Sequence, residues 1–399
     1  MIDVAVSGLG AVCSAASSAA ELEQALREMK PGVKKNLIYD HEEPVAAGVV
    51  DEVPAAAEER EGAYPTRTGL LAVAAAREAI GQSGLSGPDL AAASVIAGSS
   101  VAGMTESERA FFRLRSGHGL DEEYDFWKQH PSGRVSDAVA DAFGLGGTRI
   151  TLSTACVSST QAIAAAVYMI RTGRADAVLA GGSDALCRLT WYGFRSLKVM
   201  DDDVSRPFDR NRAGMNLGEA AAFVVLEPLD RAKARGAKPL ALMAGAGMTA
   251  DAYHMTAPDP EARGAVRAIS AALDDGGMRK DEVGYINAHG TGTLQNDSME
   301  ATAVRNVFGE NKSAPAVSSF KPFFGHTLGA AGALEAVSSI LCLNTGFLPA
   351  TPGLEEVDEA CRLNHVPAGG VKKEVDAVLS NSFAFGGLNT VLAIRRVAG

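Results

Sequence analysis

Short apolar runs bounded by glycine, proline or polar clusters recur along the chain. They are DVAVSGL (3–9), ASVIAGS (93–99), ADAVLAGG (175–182), AAFVVLEP (221–228), VGYINAHG (283–290), APAVSSF (314–320), DAVLSNSF (376–383) and TVLAIRR (390–396). Runs this short, rich in Val and Ile, predict strands buried on both faces. Between several of them lie Ala-rich stretches with helical spacing, such as TRTGLLAVAAAREAIGQSG and RGAVRAISAALDDGG. The alternation predicts an α/β protein built in layers around buried sheets.

One pattern occurs twice. A strand ending in Ser or Thr runs into ACVSSTQAIAAAVYMIRTG in the first half, and another runs into GHTLGAAGALEAVSSILCLNTG in the second. Both helices open on small residues, carry an apolar body and stop at Thr-Gly, where glycine is a favoured C-terminal breaker. So little charge on either means burial on most sides. The repeat predicts two related halves, 1–240 and 241–399, meeting near 230–245 with their central helices packed together; chance likeness of two Ala-rich helices is the alternative.

Composition narrows the function. With 37 basic and 48 acidic residues in 399, the chain is too acidic for general nucleic-acid or anionic-membrane binding. The five cysteines (13, 156, 187, 342, 361) are odd in number and lack CxxC pairing, which suits reduced thiols in a cytoplasm better than disulfides or a zinc site. MIDVAVSGLG has no basic region ahead of its apolar run, and no uninterrupted apolar stretch reaches membrane-spanning length. A soluble, cytoplasmic protein is expected.

Several segments carry candidate chemistry. Gly8 and Gly10 of VSGLGAVCS match the start of a dinucleotide fingerprint, but Cys13 stands where the third glycine belongs, so a strand-to-helix turn is the better reading. Cys156, in STACVSSTQA, precedes a helix whose N-terminus would favour thiolate and lower its pKa. A tight turn there would also free backbone N–H groups for an oxyanion. A buried spacer cysteine is the competing reading. NAHGTGTLQND places His289 at a strand end with Thr291 and Thr293 beside it, and SFKPFFGHTLGAAGALEA places Lys321, His326 and Glu335 around the second central helix. His326 would be the internal counterpart of Cys156. SNSFAFGGLN joins Phe383 and Phe385 to a Gly-Gly turn that suits close backbone approach to a ligand.

Taken together, TACVSST, RPFDRNRAGMNLGEAAA, DAYHMTAPDP, HGTGTLQND, KPFFGHTLGAAGALEA and NSFAFGG resemble, in order and spacing, the β-ketoacyl-[acyl-carrier-protein] synthases of the thiolase superfamily, in their elongating branch with one catalytic cysteine and two histidines. The resemblance spans the chain. It implies a thiolase-like αβαβα sandwich of two duplicated halves, and a decarboxylative Claisen condensation. Cys156 would hold the acyl chain as a thioester, with the N–H groups of Cys156 and Phe385 as oxyanion hole. His289 and His326 would stabilise the enolate left when malonyl loses carbon dioxide. Lys321, paired with Glu335, would support the His326 region. Thr291 and Thr293 would contact pantetheine, Phe194 would line the acyl channel, and Phe383 and Phe385 would gate it. No metal or resident cofactor is implied, because substrates ride on the phosphopantetheine of acyl carrier protein. A homodimer is implied, with a heterodimer of homologous subunits as the alternative.

Carriers of this family are acidic, and Arg195, Lys198, Arg206, Arg210 and Arg212 supply a local basic patch for one; a solvated loop paired with its own aspartates is the other reading. The chain departs from the family at Phe320, where Thr is common, at Ala384, where Gly is usual in the gate, and at Leu388, where Thr is usual. Alanine at 384 would restrict a loop needing Gly-like torsions. RAFFRLRSGHGLDEEYDFWKQHPSGRVSD also differs from the usual long-chain pocket and dimer segment. A degradative thiolase would need a second cysteine near NSFAFGG, and an initiating synthase would carry Asn at 326. An inactive chain-length subunit would lack Cys156. An accessory enzyme of polyene or polyketide assembly remains the alternative to ordinary fatty-acid elongation.

Overall fold

The computed structural model describes residues 2–39, 43–54, 66–117, 128, 130–310 and 314–397. Its frame is a ten-stranded mixed sheet. In chain order its strands are β1 (Val4–Cys13), β2 (Ser94–Gly98), β3 (Arg149–Leu152), β4 (Val178–Asp184), β5 (Ala220–Pro228), β6 (Ala241–Ala250), β7 (Val283–Ala288), β8 (Ala316–Ser319), β9 (Ala377–Ala384) and β10 (Leu388–Arg395). Across the sheet the order is β8-β7-β9-β10-β6-β1-β5-β4-β2-β3. Each set of five strands therefore follows one plan. β2 pairs in parallel with β3 and β4, and β5 pairs antiparallel with β4 and β1. The second set repeats this, with β7 parallel to β8 and β9, and β10 antiparallel to β9 and β6. The sets join where β1 meets β6, Ala5 opposite Leu242 and Val6 opposite Ala241.

Two helices fill the space between the half-sheets: α2 (Ser158–Arg171) and α5 (Ala331–Thr345). They touch each other and strands of both halves. Small residues allow this approach: the N–H of Ala333 donates to Ser159 Oγ at 2.9 Å, and Gly332 sits so close to Thr160 that a Cβ there would lie 1.8 Å from its hydroxyl. Leu334, Val337 and Ile340 of α5 are fully buried, each worth about 1.5–3 kcal/mol of transfer free energy. Leu328–Thr345 is the only described helical stretch long and apolar enough to cross a membrane, and 89% of it is buried inside the protein.

Outer helices complete five layers, α1 (Arg67–Ser83) over the first half-sheet and α3 (Arg263–Asp275) with α4 (Leu294–Phe308) over the second. Here the VSGLG reading needs correction. β1 runs straight through Gly8 and Gly10, and both lie under α1; a Cβ on them would meet the carbonyl oxygens of Ala79 and Ala75 at 2.0 and 1.9 Å. They are packing glycines rather than turn glycines. Gly245 and Gly247 of β6 stand in the same way against Ala272 and Ala268 of α3.

β6 is absent from the apolar runs, and β3 is marked only as the strand ahead of ACVSSTQ. β3 (RITL) is short and partly exposed, and β6 (ALMAGAGMTA) is built from small residues with weak strand preference. Residues 118–127 and 129 of the atypical segment lie outside the described residues.

Candidate active site

Cys156 stands two residues before α2, after Ala155, which holds a left-handed backbone (φ 52°). Such a conformation is strained for alanine and persists only where neighbours fix it. Ala155 O accepts from Ser158 Oγ at 2.6 Å and from Ser100 Oγ at 3.2 Å. Contrary to the sequence expectation, the thiol is not acidified. Burial pushes it up to about 11, and the charge of Lys321 offsets this only in part. The resting side chain is a neutral thiol.

His289 follows β7 on the turn His289-Gly290-Thr291-Gly292, whose glycines have φ of 35° and 84°. A buried carboxylate holds this turn. Glu300 of α4 accepts from the N–H groups of His289 (2.9 Å) and Gly290 (2.8 Å), and from Asn381 Nδ2 (3.1 Å). Asp297, one helical turn earlier, accepts from Gly292 N and Phe208 N. Neither acid was singled out in the sequence; their three-residue spacing on a helix following HGTG was the available signal.

His326 stands two residues before the helical stretch Leu328–Thr345, as Cys156 stands two residues before α2. Lys321–Phe324 forms a short helix, Gly325 turns at φ 78°, and a single 3-10 turn, Leu328–Ala330, precedes α5. Each position follows a left-handed residue, Ala155 or Gly325, and both line one cavity. The imidazole rings of His289 and His326 are 5.4 Å apart and nearly perpendicular.

Lys321 and Glu335 form a fully buried pair at 2.6 Å. Lys321 Nζ also lies 3.2 Å from His289 Nδ1, so the lysine supports His289 directly as well as bearing on His326 through its charge. An ammonium can only donate, so His289 Nδ1 accepts. His326 Nδ1 accepts in turn from Leu328 N–H at 3.1 Å. Both rings therefore carry their proton on Nε2, free to donate into the cavity. Burial first, and the Lys321 charge second, hold both well below the usual histidine pKa. Expected in a heteronuclear NMR titration are two histidines with protonated Nε2 and bare Nδ1, silent as the pH falls through the ordinary histidine range near 6.5. Imidazolium signals from His289 or His326 near that pH would contradict this electrostatic account.

A cavity of about 370 Å³ gathers Cys156, His289 and His326, with Thr291, Thr293, Phe194, Phe383 and Phe385 on its walls. Thr291 and Thr293 hydrogen-bond to each other at 2.8 Å. Phe383 meets His289 edge-on, and Phe194 stacks on Phe385 at 5.6 Å. Val199, Ala213 and Met215, which sequence reasoning missed, close one side. Ala384 is an ordinary strand residue, so the restriction expected there does not arise; the left-handed torsions belong to Gly386 and Gly387. Gly386 N–H donates to Met255 O at 2.7 Å, tying this turn to the DAYHMTAPDP segment.

The basic patch divides. Lys198 is exposed on the cavity rim. Among the described residues Arg195 pairs with Asp202 and Arg210 with Glu356, while Lys198 and Arg206 have no ion pair. Arg212 is no docking cation: its side chain is 2% exposed and bound to Asp358 at 2.6 Å and Asp297 at 3.6 Å.

A duplicated five-layer α/β fold with a cysteine and two histidines sharing one cavity is the plan of the condensing enzymes of the thiolase superfamily. Family comparison is specific within that class. The model for the β-ketoacyl synthase N-terminal domain matches residues 1–232, and that for the C-terminal domain matches 240–355. The chain belongs to the β-ketoacyl synthase family, whose members are acyltransferases. It is 38% identical to 3-oxoacyl-[acyl-carrier-protein] synthase 2 of Coxiella burnetii over 99% of this chain and 98% of that one. It is 36% identical to nodulation protein E of Rhizobium sp. (strain N33) over 99% of each. Among solved structures, the ishigamide ketosynthase/chain length factor superposes with a TM-score of 0.93 at 32% identity, covering 100% of both chains.

Proposed function

We propose that this protein is a β-ketoacyl-[acyl-carrier-protein] synthase that extends a Cys156-bound acyl chain by two carbons from malonyl carrier protein. The observation that carries this reading is the single cavity shared by Cys156 and two Nε2-protonated histidines. In the first step the Cys156 sulfur attacks the acyl thioester of the carrier. The new Cys–acyl bond forms as the carbon–sulfur bond to pantetheine breaks, and the thiol proton ends on the departing sulfur. The N–H groups of Cys156 and Phe385 serve as oxyanion donors.

In the second step malonyl thioester replaces the first carrier arm. His289 and His326 donate to its thioester carbonyl, so that charge released as carbon dioxide leaves is held on the enolate oxygen. Neutral donors suit this task, because they bind developing charge more tightly than the ground state. The enolate carbon attacks the Cys156 acyl carbon, and the cysteine leaves as thiolate and regains a proton. Lys321 fixes the His289 tautomer, and Glu335 offsets the lysine charge. Thr291 and Thr293 face the pantetheine, Phe194 lines the acyl channel, and Phe383 and Phe385 close it. This chemistry calls for no metal or resident cofactor, and its setting is cytoplasmic. A division of the chain at 240/241 is supported by β6 beginning at Ala241.

The carrier approaches the rim beside Lys198 and Arg206. Lys198→Glu or Arg206→Glu is expected to raise KM for carrier-bound substrate about tenfold at low salt with little change in kcat, the difference shrinking as salt rises. Arg212→Ala should instead lower stability by about 3–5 kcal/mol, since it strands the buried carboxylate of Asp297. Equal effects on KM from all three would return Arg212 to the docking surface.

Likeness to the ishigamide ketosynthase/chain length factor favours a second reading within the same chemistry: an accessory ketosynthase of polyene or polyketide assembly, paired with a homologous chain-length subunit rather than with itself. Mass spectrometry of carrier-bound products from malonyl carrier and primers of graded length separates the two. One two-carbon extension by the lone protein supports fatty-acid elongation. Extension only after a homologous subunit is added supports the accessory role, and no extension in either setting would remove both.

A further inference from the structure

Three non-glycine residues in left-handed conformations converge on one buried carboxylate. Ala155 (φ 52°) precedes Cys156, Leu328 (φ 53°) follows His326 by two residues, and Ala102 (φ 45°) closes the loop after β2. Asp184, at the end of β4, is completely buried among them. It accepts from Ser99 Oγ at 2.6 Å, Val101 N at 2.9 Å and Ser100 N at 2.9 Å, all on that loop. From the other half of the molecule it accepts from Gly329 N at 2.6 Å.

Both ends of this clamp reach the chemistry. Ser100 Oγ donates to the carbonyl of Ala155, the residue before Cys156. Leu328 N, next to the clamped Gly329, donates to His326 Nδ1. We propose that Asp184 is a positioning residue that sets the separation between the Cys156 turn and the His326 loop, so that carbon–carbon bond formation depends on it far more than either half-reaction does. The inference rests on the condensation reading above.

Acyl transfer needs the Cys156 turn and the Phe385 N–H but not the histidines, and malonyl decarboxylation needs the histidines but not the Cys156 turn. Joining them requires the enolate carbon to lie within attack distance of the Cys156 acyl carbon. A displacement near 1 Å costs about 100-fold in such a step. Burial raises the Asp184 carboxyl to about 6, so at neutral pH it is ionised and can accept from all its donors.

Asp184→Asn keeps the shape but turns a donor toward the N–H groups. Gly329→Ala attacks the clamp from the other side, since its Cβ would meet Asp184 Oδ2 at 2.7 Å and Ser100 N at 2.8 Å. Acyl loading on Cys156, carbon dioxide release and condensed product are measured separately, beside thermal unfolding. In whichever variant folds, loading and decarboxylation should stay within about threefold of wild type. Condensation should fall about 100-fold, with carbon dioxide released per product rising in step. A proportional fall of all three activities in a folded variant, or no change in any, would overturn the proposal. Absence of all three activities in the wild type would instead sink the condensation reading itself.

Discussion

Cys156→Ala is expected to abolish acyl loading and to lower condensation by more than about 1,000-fold, since no other group in the cavity can form the thioester. Decarboxylation of malonyl carrier should survive within a few-fold, because its donors sit on other loops: His289 after β7 and His326 before α5. His326→Ala should show the mirror image, with loading retained and decarboxylation lowered by about 100- to 1,000-fold, the usual effect of removing one donor from a developing oxyanion. Radiolabelled acyl loading and carbon dioxide release, measured on both variants, check the pair. Decarboxylation lost with Cys156, or loading lost with His326, would mean that the two steps do not divide as drawn.

The second large effect belongs to the Lys321–Glu335 pair. Lys321→Ala leaves a buried carboxylate without its partner, because among the described residues Glu335 Oε1 loses its one ion pair and Oε2 already has no hydrogen bond. A loss of about 3–5 kcal/mol follows. The substitution also frees His289 Nδ1, so the imidazole can turn its bare nitrogen to the enolate, and decarboxylation should fall sharply. Removing both charges, as in Lys321→Met with Glu335→Leu, should restore most of the stability, since apolar replacement of a buried pair is often neutral. It should not restore decarboxylation. Denaturant unfolding and carbon dioxide release would separate these outcomes; recovery of both together would leave Lys321 a purely structural role.

The sequence made the layers legible because most strands here are buried on both faces and therefore read as unbroken apolar runs. It hid the Gly-Ala-rich β6 at the seam and marked β3, on the sheet edge, only as the strand ahead of Cys156. The duplication was visible in α2 and α5, where charge is sparse. Its sharper sign was the spacing of Gly8 and Gly10 against Gly245 and Gly247, each pair lying under an Ala-rich outer helix. From pattern alone Gly8 and Gly10 read as a strand-to-helix turn, since pattern does not say what a glycine faces.

Within the site, motif residues come together in one cavity because each motif ends an element at the seam. What motifs could not supply was environment. Burial reverses the expected acidity of Cys156, places Arg212 inside rather than on the carrier face, and turns Lys321 toward His289. Glu300 and Asp184 were missed for the same reason: each acts through backbone N–H groups that only the fold brings within reach.

The central claim is that one sulfur carries the chain that the enolate then extends. It is tested by loading the protein from carbon-13-labelled acyl carrier, isolating the Cys156 peptide, and chasing with unlabelled malonyl carrier. The account predicts a labelled acyl thioester on Cys156 that disappears during the chase, with the label recovered on carrier in a β-ketoacyl chain two carbons longer. Label on another residue, or a loaded Cys156 that malonyl carrier cannot discharge, would contradict it.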